Sequence, residues 1–168
     1  MPSQAKSVKK EVHHIENAEG LCTIDSSNFP VVVVWWGGVV TSTLVDLMWE
    51  YRDAELVDRA PVMVIMSGID DVTELTAVNR KYLADKGKFD PRLQTGEILP
   101  IMVVSNPIMR GFLTAVTWMA GDKFPMQFVS TLEAGYTLAR KLLQQRDSEV
   151  PEVDPTSYKF AKNPILAD

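Results

Sequence analysis

Short apolar runs alternate along the chain with amphipathic stretches of helical period. Residues 21–25 form the first run and 29–36 the second, which contains Val31, Val32, Val33 and Val34 in succession. β-branched side chains fit a pleated surface, and a run without alternation predicts a strand buried on both faces. Ser26, Ser27 and Asn28 lie between the two runs and supply turn chemistry, so 21–25 and 29–36 are expected to pair as a hairpin. Gly37–Gly38 ends the second strand in this reading. Further strands are expected at 62–66, closed by Ser67–Gly68, at 98–105 and at 125–129.

Helices fill the intervals. Thr41 or Ser42 caps the first, which carries Leu44, Leu47, Met48 and Tyr51 at i, i+3, i+4 and i+7. Asp70 and Asp71 are placed to cap the second, with Leu75, Val78, Tyr82 and Leu83 as its stripe. The charged stretch 85–97, with Gly87, Pro91 and Gly96, reads as an exposed loop. Asn106–Pro107 is a strong start for the third helix, since a proline at the first helical position lacks an N–H that would be unpaired anyway. Ile108, Phe112, Ala115, Val116 and Met119 keep helical spacing there, up to Gly121. Ser130 and Glu133 make a capping-box pair before the fourth helix, whose apolar side is Leu132, Tyr136, Ala139, Leu142 and Leu143.

The predicted class is therefore α/β. A mixed sheet of about five strands, an antiparallel hairpin followed by parallel βα units, is joined by four helices. Residues 21–146 form this domain. Residues 1–20 are polar, carry both charge signs and read as a flexible arm with at most one short ordered piece near Val12. Residues 147–168 hold Pro151, Pro155 and Pro164 and read as an extended acidic tail, with Tyr158 and Phe160 as apolar anchors that dock on a folded surface.

Composition narrows the function. A net charge of −5 disfavours nucleic acid and anionic membrane surfaces as partners. The single cysteine, Cys22, forbids an intrachain disulfide and suits a reducing, cytoplasmic setting. No apolar run approaches the ~20 residues that span a bilayer, so membrane insertion is not expected.

Candidate chemistry is sparse. His13, His14 and Glu16 lie in the predicted arm without fixed geometry, so no metal is expected. Cys22 reads as a small buried apolar residue. Gly37–Gly38 lacks the third glycine of a dinucleotide loop, and no nucleophile elbow, metalloprotease or kinase motif occurs; no catalytic residue and no cofactor is assigned. The N–H groups at the Asn106–Pro107 helix start, with Arg110 nearby, form a weak anion or ligand site. Met109, Phe112, Trp118, Met119 and Met126 gather around the third helix. Packing into the core is the plain reading of them; an adaptable protein-contact surface is the functional one.

The element order, with the segments Phe29-Pro30-Val31-Val32-Val33-Val34-Trp35-Trp36-Gly37, Val62-Met63-Val64-Ile65-Met66-Ser67-Gly68-Ile69 and Ser130-Thr131-Leu132-Glu133-Ala134, resembles the STAS domain of anti-sigma-factor antagonists and sulfate-transporter tails. The resemblance implies a regulatory interaction domain. It departs at one telling place. Where STAS antagonists carry a phosphorylatable Asp-Ser-Ser/Thr-Gly motif, this chain reads Gly68-Ile69-Asp70-Asp71-Val72-Thr73-Glu74. Asp70, Asp71 and Thr73 there stand either as an interaction site of fixed charge or as plain helix caps.

The expected function is thus a non-enzymatic regulatory or scaffolding module of bacterial signalling that binds a protein partner and self-associates as a homo-oligomer. A small-molecule or lipid carrier, with a ligand cavity between sheet and helices, is the alternative, and an enzyme of unknown type the second.

Overall fold

The computed structural model describes residues 11–121 and 125–153. Six strands form one sheet in chain order: β1 (Val12–Glu16), β2 (Gly20–Asn28), β3 (Val31–Val39), β4 (Met63–Glu74), β5 (Ile98–Val103) and β6 (Gln127–Val129). β1 to β3 pair antiparallel and β3 to β6 pair parallel. Five helices accompany them: α1 (Ser42–Glu55), α2 (Ala77–Phe89), α3 (Pro91–Thr95), α4 (Pro107–Ala120) and α5 (Leu132–Gln145). The predicted α/β class, an antiparallel hairpin feeding parallel strands, is the observed one.

Strand order explains the layering. Each parallel crossover steps to the next position in the sheet, and crossovers of one hand put their helices on one face. Accordingly, α1 and α4 cover the face that carries Val32, Val34, Trp36 and Ile65. The last helix, α5, lies on the opposite face against Val31, Val33, Val64 and Met66. The valine run of β3 is divided between the two cores, so every one of its side chains is buried, each contributing ~1.5–2 kcal/mol.

The structure corrects several boundaries. The short ordered piece expected near Val12 within the polar arm is edge strand β1, whose Ile15 enters the core. Gly37–Gly38 does not end β3. Gly38 adopts φ +71° and pairs with Gly20, and a Cβ on it would strike the carbonyl oxygen of Glu19. Nor does Ser67–Gly68 end β4, which continues to Glu74. The ring of Trp35 fills the space beside Gly68 where a side chain would go.

That extension puts Asp70 and Asp71 in the strand, so neither caps α2. Thr76 does, its hydroxyl accepting from Asn79 N–H at 3.2 Å. With α2 beginning at Ala77, Val78 faces solvent, while Ala84 and Gly87 turn inward. The supposed loop 85–97 holds the end of α2 and all of α3, which Asp90 caps. At α5 the cap is Thr131 rather than Ser130, accepting from Ala134 N–H at 3.1 Å. Thr41 and Asn106 cap α1 and α4 as expected.

Of the predicted tail, residues up to Val153 are described. Val150 and Val153 pack on the α5 side, and the Tyr136 hydroxyl donates to the Pro151 carbonyl. Tyr158 and Phe160 lie outside the described residues.

Candidate interaction surface

The crest of the sheet, where parallel strands end and ligands of α/β folds usually bind, is occupied by the chain's own groups. Asp70 accepts from Ser105 N–H at 2.8 Å and from the Ser105 hydroxyl at 2.9 Å. The Asn106 side chain accepts from Ile108 N–H at 2.9 Å. N–H groups that make a helix start attractive to an anion are therefore already satisfied by a carboxylate and an amide. Arg110, the other residue of the weak anion site, lies over the Phe128 ring at 5.8 Å. Asp71 accepts from the Trp35 indole at 2.6 Å, and Thr73 is exposed in β4. The two aspartates thus brace β3, β4 and α4, and Thr73 is not joined to them by a shared hydrogen bond.

Other titratable groups are equally committed. His13 stacks on Tyr51 at 4.2 Å between ring centres, and His14 Nδ1 lies 3.1 Å from the Thr23 hydroxyl. Both histidines belong to the folded sheet, against the expectation that they lie in a mobile arm, and neighbours on a strand face opposite sides. Cys22 is fully buried, and burial pushes its thiol far above the usual range, so it stays a neutral apolar group. Among the described residues, no cluster of three or more His, Cys, Asp or Glu is arranged to hold a metal, and no helix is long and apolar enough to cross a membrane.

Two hollows sit on the α1 side. One is an apolar cavity of about 80 Å³ enclosed by the sheet, α1 and α4, with Trp36, Met48, Ile65, Met102 and Leu113 among its walls. The other, about 410 Å³, opens between α1 and α2 beside Trp49, Tyr82 and Phe89. Its charges are paired: Arg52 with Asp90 at 2.5 Å and Asp53 at 2.8 Å, Lys86 with Asp46 at 2.7 Å, Arg92 with Glu97 at 3.0 Å.

Helix α4 is different. Its sequence holds two apolar stripes, each at i, i+4, i+7 and i+11 and offset by one residue. Met109, Leu113, Val116 and Ala120 enter the core. Of Ile108, Phe112, Ala115 and Met119, which carry the helical period most visibly in the sequence, Ala115 is half-buried and the other three are exposed. Exposure is 68% for Ile108, 36% for Phe112 and 47% for Met119, and Trp118 on the outer edge of the stripe reaches 80%. Arg110 is the only charged residue in the fourteen of α4. The residues singled out in the sequence are thereby divided: Met109 is core, whereas Trp118 and Met119 are surface. Ile108 was not singled out as a contact residue, although its one-residue offset from Met109 could have marked the second stripe.

Fold and surface together define a mixed-sheet α/β domain in which, among the described residues, α4 carries an exposed apolar side. The chain matches no protein-family model, no curated protein and no solved structure.

Proposed function

We propose that this chain is a non-enzymatic, STAS-like interaction module that acts in bacterial cytoplasmic signalling by binding a protein partner through α4. The observation that carries the reading is the second apolar stripe. Apolar side chains exposed singly, such as Val78, are ordinary on a folded surface, whereas four large ones gathered on one side of α4 mark an interaction site. Aromatic and methionine side chains are what protein interfaces enrich at their centres.

The STAS-like reading is supported by the order of elements, a hairpin feeding parallel βα units. Asp70 and Asp71, matched in the sequence with the antagonists' phosphorylatable motif, lie in β4 rather than at the start of α2, and both are engaged in bracing hydrogen bonds. This fits a module that works by binding rather than by a phosphoswitch. The carrier reading is less well supported: the apolar cavity, at about 80 Å³, falls well below the roughly 300 Å³ at which ligand pockets begin, and the hollow of about 410 Å³ between α1 and α2 is open and lined largely by ion-paired side chains. An enzyme would need a group poised for chemistry, and the Cys22 thiol is held neutral.

A photo-cross-linking side chain in place of Ile108, tested in cells, examines the proposal. The expected result is an adduct of defined mass at position 108. It is lost on adding Trp118→Asp and does not form from the exposed Lys141 position on α5. An equal, diffuse yield from both positions overturns the reading.

A further inference from the structure

We infer that the occupant of the α4 stripe is a second copy of this chain, packed as an antiparallel helix pair about a two-fold axis. The inference rests on the interaction-module reading above and names its partner.

The order of side chains along the stripe is the first argument. It runs large, large, small, large: Ile108, Phe112, Ala115, Met119. Turned end over end about an axis between Leu113 and Thr114, the same stripe sets Phe112 of one copy over Ala115 of the other, twice. Ile108 then meets Met119, also twice. A stripe with two large residues at its centre would hold the two helices further apart in this arrangement. This one interlocks, as an isologous contact requires, each residue meeting its counterpart's complement.

Room for close approach is the second. Gly111 lies on the outer edge of the stripe, and a Cβ on it would meet nothing within 4 Å. Trp118 of the opposite copy fits into that opening, one indole against each glycine. Both arginines nearby lie against aromatic rings of their own chain and keep their charge, so the pairing requires that their guanidinium groups stay hydrated at its rim. Arg80 of α2 lies 4.9 Å from the centre of Phe112, and Arg110 turns towards Phe128.

Area is the third. Side chains of this size at their observed exposures offer about 450 Å² of surface per copy, within the range of the largest patch on a typical monomer. Two facing patches bury about 900 Å², and a rim including Pro107 and Gly111 carries the total past the roughly 1,000 Å² at which specific interfaces begin. Such a contact sits at the lower end of stable dimers, so its dissociation constant is expected in the micromolar range.

Sedimentation equilibrium of the purified full-length chain, from 1 to 200 µM, tests the inference. A reversible monomer–dimer equilibrium is expected. Trp118→Asp raises the dissociation constant at least tenfold, with an unchanged melting midpoint at concentrations where the wild type is monomeric. The register is tested by charge pairing: Ile108→Lys and Met119→Glu chains each dissociate alone and form a heterodimer when mixed. A chain that stays monomeric at 200 µM overturns the inference, as does a dimer that Trp118→Asp leaves intact. If the chain is monomeric while position 108 still cross-links in cells to a protein of different mass, the module reading survives and only the second copy falls. If neither occurs, both fall.

Discussion

Arg52 on α1 and Asp90 at the head of α3 form a buried ion pair, 2.5 Å between guanidinium and carboxylate, with both side chains almost wholly shielded from water. Asp90 accepts in addition from the Trp49 indole at 3.1 Å and from Arg92 N–H at 3.0 Å. One carboxylate therefore joins α1 to α3 and caps the latter. Arg52 also meets Asp53 at 2.8 Å, so its buried charge is answered on two sides.

Removing Asp90 leaves Arg52 answered only by the half-exposed Asp53. Asp90→Ala is expected to lower stability by about 3–5 kcal/mol in urea unfolding, because Arg52 loses its buried counter-charge. The double variant Arg52→Met with Asp90→Leu should recover much of that loss by replacing the pair with apolar volume. A loss for Asp90→Ala below about 1 kcal/mol would show that water reaches the pair.

Trp35 and Gly68 occupy one space on adjacent strands. A methyl group at position 68 would enter the indole ring, so Gly68→Ala must push Trp35 aside. The expected cost is about 1–3 kcal/mol, with a shift in tryptophan emission as the indole leaves Asp71. The same substitution in a Trp35→Ala background should cost much less. Equal costs in both backgrounds would place the strain elsewhere.

Asp46, Lys86 and Tyr82 form a surface triad between α1 and α2. Hydrogen bonds from Lys86 and then Tyr82 hold the Asp46 carboxyl below its ordinary value of 3.8. A depressed folded value means the contribution is complete above pH 3.8 and disappears as pH falls through the lower folded value. Lys86 is raised above 10.5 chiefly by its hydrogen bond to Asp46, so its contribution is complete below 10.5 and disappears as pH rises beyond it. Asp46→Asn should flatten the acid limb of the stability–pH curve, with an effect at neutral pH below about 1 kcal/mol because the pair is solvent-screened. An acid limb of unchanged slope in the variant assigns it to other carboxylates.

Where sequence and structure agree, the signals are local. The valine run, the Thr41 cap and the Asn106–Pro107 start each depend on a few adjacent residues, and all three elements form where expected. Where they disagree, a distant residue decides. Gly68 looks like a strand breaker until Trp35 is seen to fill its empty side. Gly87 looks like a loop residue, yet it is buried in α2. On α4 two stripes of equal period compete, and only the positions of the sheet and α2 settle that Met109, rather than Ile108, turns inward. The surface stripe was half legible for the same reason: its residue types marked Trp118 and Met119, but exposure is a property of the packed whole.

Asp70 shows that change of role most directly. Sequence position suggests a cap for α2, whereas the carboxylate reaches across the sheet to Ser105, just before α4. It lies where the partial positive charge of the helix start favours an anion. Asp70→Ala should therefore loosen α4 rather than α2, costing about 1 kcal/mol through the lost bonds to the Ser105 N–H and hydroxyl. Asp70→Asn keeps an acceptor but removes the charge, so its loss should be smaller and should shrink as salt rises from 0.05 to 1 M, about the range over which charge effects are screened. Amide exchange locates the effect. Faster exchange at Ile108 and Met109, with Asn79 and Arg80 unchanged, is the expected pattern. Faster exchange in the first turn of α2 instead would return Asp70 to the cap that its place in the sequence suggests.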